Sequence, residues 1–210
     1  MDEINVQLKN INFPNISQGG FYNSGISGFI YLGILQNFRI GGFGFGGSRS
    51  VSGEYPELFS PVDIMLNGPE QRETIYTLNG GGISLEYTLP FVKDIAISIG
   101  ALVGRGSLKL ELSKNFGSSQ WNLFWQNAQY NFAMASTSSL TNTYWLVSPT
   151  INVEIPVYHM LCFRIGAGYN VTFGGKWTYD DSQDILIAPS NINGNSFFIH
   201  TGIFIGLFSF

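Results

Sequence analysis

The chain has 210 residues and a net charge of −4, and its 11% of charged residues falls well short of the ~25% of an ordinary soluble domain. It is rich in aromatic residues and glycine, with 18 Phe and 26 Gly, and no basic stretch offers a footing for nucleic acid. Its single cysteine, Cys162, excludes an internal disulfide framework and a multi-cysteine metal site.

Mean hydropathy is slightly positive. Yet no uninterrupted apolar run approaches the ~18–20 residues that a transmembrane helix needs. The longest candidate, Ile95 to Gly104, alternates instead. Lipid contact spread over many short strands produces that combination.

Alternation with period two is the strongest local signal. Segments 2–12, 20–35 and 38–51 alternate loosely, and parity slips near their glycine clusters predict bulges. Over 82–89, Ile83, Leu85, Tyr87 and Leu89 oppose Gly82, Ser84, Glu86 and Thr88. Segment 94–112 is looser again. Over 147–155, Val147, Pro149, Ile151, Val153 and Ile155 oppose Ser148, Thr150, Asn152 and Glu154. Over 163–173, Phe163, Ile165, Ala167, Tyr169, Val171 and Phe173 oppose Arg164, Gly166, Gly168, Asn170 and Thr172. The stretch from Phe197 to Phe210 lacks charge and reads as an eighth strand.

Short connections fall at 35–37, 90–93 and 156–160; long polar ones fall at 53–73, 113–136 and 176–195, with a modest one at 13–19. This layout predicts an all-β fold: one domain over 1–210, a closed antiparallel up-and-down barrel of eight strands, with both termini at the short-turn end. The polar face of the strands is mostly Gly, Ser, Thr and Asn. A solvated surface would be about a quarter to a third charged. The apolar face is therefore expected to meet lipid and the small polar face to fill the interior, which makes the barrel transmembrane. Met1-Asp-Glu-Ile opens the chain without a basic or apolar leader, so the expectation is a mature chain whose signal peptide has been removed.

The chain ends on Phe210, with Phe208 two residues before it and a glycine at Gly206. In this and in its strand layout it resembles the small eight-stranded outer-membrane β-barrel proteins of Gram-negative-type bacteria. The resemblance spans the whole chain and is architectural. It implies short periplasmic turns, longer extracellular loops, a place in the bacterial outer membrane and outer-membrane lipid as the surroundings. It also implies that Phe208 and Phe210 form a C-terminal assembly signal for the barrel-assembly machinery.

Several groups invite a chemical reading. Gly42 to Gly47 matches G-x-G-x-x-G, but Ser48-Arg-Ser-Val-Ser-Gly53 lacks the helical period that a dinucleotide site requires after it. The sequence fits glycines that admit bulky neighbours inside a narrow barrel. His159 and His200 have neither metal-ligand spacing nor a serine elbow and adjacent carboxylate, so no metal, cofactor or catalytic residue is expected. Arg39, Glu86, Glu154 and Arg164 lie on inward positions near the short turns. Lone buried charges are costly, so these four are expected to form an interior ion-pair network that plugs the barrel or gates it.

Trp121, Phe124, Trp125 and Ala128 keep the i, i+3, i+4, i+7 spacing of an amphipathic helix, with Ser118 or Ser119 as its cap. They predict a contact surface on the 113–136 loop, either for the barrel rim or for a protein or apolar ligand. The sequons at Asn15 and Asn170 carry no weight in a bacterial setting. The functional expectation is a non-enzymatic barrel with a structural or loop-presenting role. A narrow channel or transporter for small solutes, and a lipid-modifying outer-membrane enzyme, are the alternatives.

Overall fold

Period-two alternation builds a single antiparallel sheet. A computed structural model of the chain describes residues 2–16, 19–55, 70–89, 95–116, 135–158, 161–180, 182–185 and 194–205. The strands are β1 (Ser24–Tyr31), β2 (Phe38–Tyr55), β3 (Glu70–Leu89), β4 (Ala96–Phe116), β5 (Ala135–Tyr158), β6 (Leu161–Tyr179), β7 (Gln183–Asp184) and β8 (Ser196–Ile205). Neighbours follow chain order from β1 to β6, which pairs with both the short β7 and the longer β8. The sheet curls strongly into a half-barrel.

The curl depends on missing side chains. Gly82 faces Gly104 across the β3–β4 ladder. A Cβ on Gly82 would sit 2.2 Å from the Val103 carbonyl oxygen, and one on Gly104 would sit 2.2 Å from that of Gly81. No other residue permits the two backbones to approach so closely at this point.

Residues 2–12 overturn the expectation of a strand. Asp2–Asn10 is an α-helix, α1. Ile4, Val6 and Leu8 alternate in sequence, but Ile4 and Leu8 also stand one helical turn apart. They are buried, while Val6 is exposed. Lys9 in the last turn complements the helix dipole. Asn12 then takes φ 56°. Phe13 N–H donates to the Leu8 carbonyl at 2.8 Å and Asn12 N–H to that of Lys9 at 3.1 Å, which is the Schellman ending. A short apolar stretch without close strand neighbours satisfies its own backbone this way.

Ile4, Leu8, Phe13 and Ile16 enter the main core with Tyr76, Leu108, Leu110, Tyr144, Leu146 and Trp177 from the concave face of the sheet. The helix therefore lies inside the curl, toward the long-loop end. The count of eight strands comes from the two-residue β7, not from the N-terminal segment.

The strands also run further than alternation suggested. β2 continues to Tyr55, β3 begins at Glu70, β4 reaches Phe116 and β5 begins at Ala135. Residues 53–55, 70–73, 113–116 and 135–136 read as loop because the outward face there is polar, as at Glu54, Glu73 and Ser113. Backbone pairing continues regardless of side-chain polarity.

One bulge re-aims a large residue. Thr143 pairs with Lys176 and Trp145 with Phe173, so β6 carries one residue more than β5 across this step. Gly174 absorbs it at φ +66°. The parity flip turns Trp177 into the core.

A ring of charge at the short-turn end

Parity places Arg39 on β2 opposite Glu86 on β3, and Glu154 on β5 opposite Arg164 on β6. All four point into the concave side and are 0–4% exposed. Arg39 donates to Glu86 at 2.7 Å and to Glu154 at 2.8 Å. Arg164 donates to Glu86 at 2.9 Å and also to Glu154. Each arginine thus binds both carboxylates and each carboxylate accepts from both arginines. The ring is closed and neutral.

β4 lies between the two pairs and presents Ala96, Ser98 and Gly100 inward at this level. A Cβ on Gly100 would come within 2.8 Å of Glu86 Cγ. These small residues leave room for the four long side chains to meet across the sheet. Aromatic rings close the ring from the side of β1 and β8. The Arg39 guanidinium stands 4.3 Å from the Phe29 centroid, and that of Arg164 stands 4.3 Å from the Phe204 centroid. Phe29 and Phe204 are themselves 6.0 Å apart. Phe29, Phe204 and the small β4 face were not singled out from sequence; their inward parity opposite the charges was the available signal.

A second inward ion pair sits at the other end. Arg72 donates to Glu70 at 2.6 Å, and its Nη1 donates to the carbonyls of Ile11 at 2.7 Å and Asn12 at 2.8 Å. A guanidinium at the C-terminal end of α1 suits both the orphan carbonyls and the helix dipole. Thr74 adds a hydrogen bond to the Pro14 carbonyl at 3.0 Å. Asn5 and Ile16 exchange two more, at 3.0 and 2.9 Å. Burial, reinforced by Tyr144, pushes the Tyr76 phenol above its usual range. Arg72 falls in 53–73, which the sequence marks as a polar connection, so its inward parity has no strand signal to reveal it.

The other candidates separate. Gly42 to Gly47 lies within β2, with no helix following it. His200 stacks on Phe198 at 5.8 Å, on the inward face beside Gly166. Asn170 accepts from Ser148 at 2.7 Å and donates to Ser196 at 3.2 Å. Trp121, Phe124, Trp125, His159, Phe208 and Phe210 lie outside the described residues. Among the described residues no group of His, Cys, Asp and Glu could hold a metal ion, and no helix is long and apolar enough to cross a membrane.

The outward face completes the geometry. It is uncharged and, Thr201 apart, apolar at Ile83–Leu89 on β3, Ile97–Val103 on β4, Trp145–Ile155 on β5, Phe163–Phe173 on β6 and Phe197–Ile203 on β8. Ile83, Ile99, Ile151, Ile165, Phe173 and Ile199 on it are exposed. Its limit is in register: Gly81 pairs with Arg105, Arg105 with Trp145, and Trp145 with Phe173. Beyond that rung the outward residues become Asn79, Thr77, Ser107, Lys109, Glu111 and Thr143. Comparison with protein-family models, curated proteins and solved structures finds no match.

Proposed function

We propose that this protein is a membrane-spanning β-barrel of the bacterial outer-membrane type, with β1 and β8 flanking its seam and a non-enzymatic role. The band of exposed, uncharged side chains carries the reading. On β5 and β6 it extends over the ~9–11 residues that a tilted strand needs to cross the hydrocarbon core. Exposed apolar side chains on this scale need a covering, and lipid accounts for a band that runs level from strand to strand. Inside, the charge ring closes the short-turn end and α1 the long-loop end. The barrel then serves as a rigid support for the strand extensions and loops beyond the band.

Reconstitution tests this. The protein should enter lipid vesicles, migrate differently on gels before and after boiling, and lose tryptophan fluorescence to lipids brominated along the acyl chain. A monomer that stays dissolved in detergent-free buffer would overturn the reading.

The cyclic pairing favours one second reading, a gated narrow channel. Two of the four ion pairs can open while every charge keeps a partner. Wild-type protein in a planar bilayer decides: silence supports the plug, and discrete openings support the gate.

A further inference from the structure

The polar side of the Gly81–Arg105–Trp145 rung holds a hollow of about 410 Å³. Asn79, Arg105, Ser107 and Thr143 surround it together with Phe45, and Gly80, Gly81 and Gly106 complete its lining. Arg105 stands 5.3 Å from the Trp145 centroid, which orients its guanidinium. Among the described residues no carboxylate lies within ion-pair distance of Arg105. The nearby outward lysines differ: Lys109 pairs with Glu111 at 3.2 Å and Lys176 with Asp184 at 3.0 Å. Ser107 donates to Asn79 Oδ1 at 2.8 Å, so the Asn79 side chain, which lines the hollow, has its NH2 group left to donate. Guanidinium, amide and the Thr143 hydroxyl make a donor-rich site without a competing negative charge.

Such a set suits a phosphate, which a guanidinium grips through two parallel hydrogen bonds. The surface on the other side of the rung is apolar, with Ile83, Val103 and Val147. We propose that the hollow binds the phosphate of an anionic membrane lipid, whose acyl chains lie along these three residues. The proposal rests on the membrane-spanning reading, since it places the rung where headgroup and hydrocarbon meet. A headgroup fits better than a free anion because donor hollow and apolar track adjoin.

Native mass spectrometry of the detergent-solubilised protein, titrated separately with phosphatidylglycerol, phosphatidylcholine and inorganic phosphate, tests it. One phosphatidylglycerol should bind about tenfold more tightly than phosphatidylcholine, which offers the same phosphate but sets a quaternary ammonium, a like charge, beside the Arg105 guanidinium. Arg105→Gln should abolish that preference and Lys176→Gln should keep it, both with unchanged strand content. Arg105→Lys should retain part of it. Equal preference in wild type and Arg105→Gln overturns the site. Inorganic phosphate that displaces the lipid at matching concentration overturns the lipid as its occupant. Vesicle insertion, measured in parallel, separates the two ideas: insertion without lipid preference sinks the site alone, and failure to insert sinks both.

Discussion

Arg39 Nη1 donates to Glu154 Oε2 at 2.8 Å, although 115 residues separate them in sequence and two strands, β3 and β4, lie between theirs in the sheet. Arg164 reaches Glu86 across the same span in the opposite sense. The two crossing bonds tie β2 to β5 and β3 to β6, so the ring works as a fastener of the curl. Guanidinium geometry makes this possible, because one planar fork can serve two carboxylates at once.

Glu154→Gln should destabilise the fold by about 3–5 kcal/mol, the usual result of stranding a buried charge. Combining it with Arg164→Met should recover part of the loss, because the remaining Arg39–Glu86 pair is neutral. Urea titration of the detergent-folded protein, followed by the heat-dependent gel shift, gives both values. Additive losses would show that the two residues act independently and that the ring is not a unit.

The ring was legible because parity and turn position suffice to place four charges on one face at one depth. Residues 2–12 were not, because Ile4, Val6 and Leu8 satisfy the strand period while Ile4 and Leu8 satisfy the helical one. Which period wins depends on what the chain docks against. Alternation cannot report that α1 has an apolar hollow to fill. The strand extensions were hidden for a related reason: Gly53 to Tyr55 and Glu70 to Arg72 carry no amphipathic signal, since hydrogen bonding between β2 and β3 holds them in place. Trp177 lies in the stretch 176–195 that reads as a polar connection, and Gly174, whose positive φ reverses the parity of residues 163–173, hides that β6 continues through it to Tyr179.

The outward band predicts a sharp contrast between outward residues within it and beyond it. Ile165→Arg should cost about 2–4 kcal/mol at mid-membrane. Cysteine labelling in vesicles checks the depth directly. Ile165→Cys should resist a membrane-impermeant maleimide, whereas Ser50→Cys, exposed on the β2 extension, should react readily. Fast reaction at position 165 in intact vesicles would contradict the band.

Gly174→Ala should cost about 1–2 kcal/mol, because a Cβ is disfavoured in the left-handed region. The bulge is what turns Trp177 inward, so its emission should shift to the red as the ring meets water. The shift should vanish when Trp177→Phe is added, which assigns the signal to this tryptophan.

The anchoring of α1 should be sensitive to base. Burial, with Tyr144 adding to it, raises the folded-state pKa of Tyr76 above its usual ~10. The folded state therefore holds this proton more tightly than the unfolded chain does. Its contribution to stability is complete below about pH 10 and is lost as pH rises from there toward the folded-state value. Tyr76 packs in the same core as Leu8 and Phe13, and its ring meets that of Phe21 at 5.4 Å. Ionising it should loosen α1 before the charge ring, which contains no tyrosine. Hydrogen exchange of the Leu8 to Phe13 amides should accelerate above pH 10 beyond the ordinary base-catalysed trend, while β3 amides near Glu86 keep their protection. Tyr76→Phe should remove the excess acceleration. Leu8→Ala should reproduce the loosening at neutral pH, with a loss of about 2–5 kcal/mol. An unchanged alkaline profile in Tyr76→Phe would show that the helix is held by its Arg72, Thr74 and Asn5 hydrogen bonds, and that the phenol is a bystander.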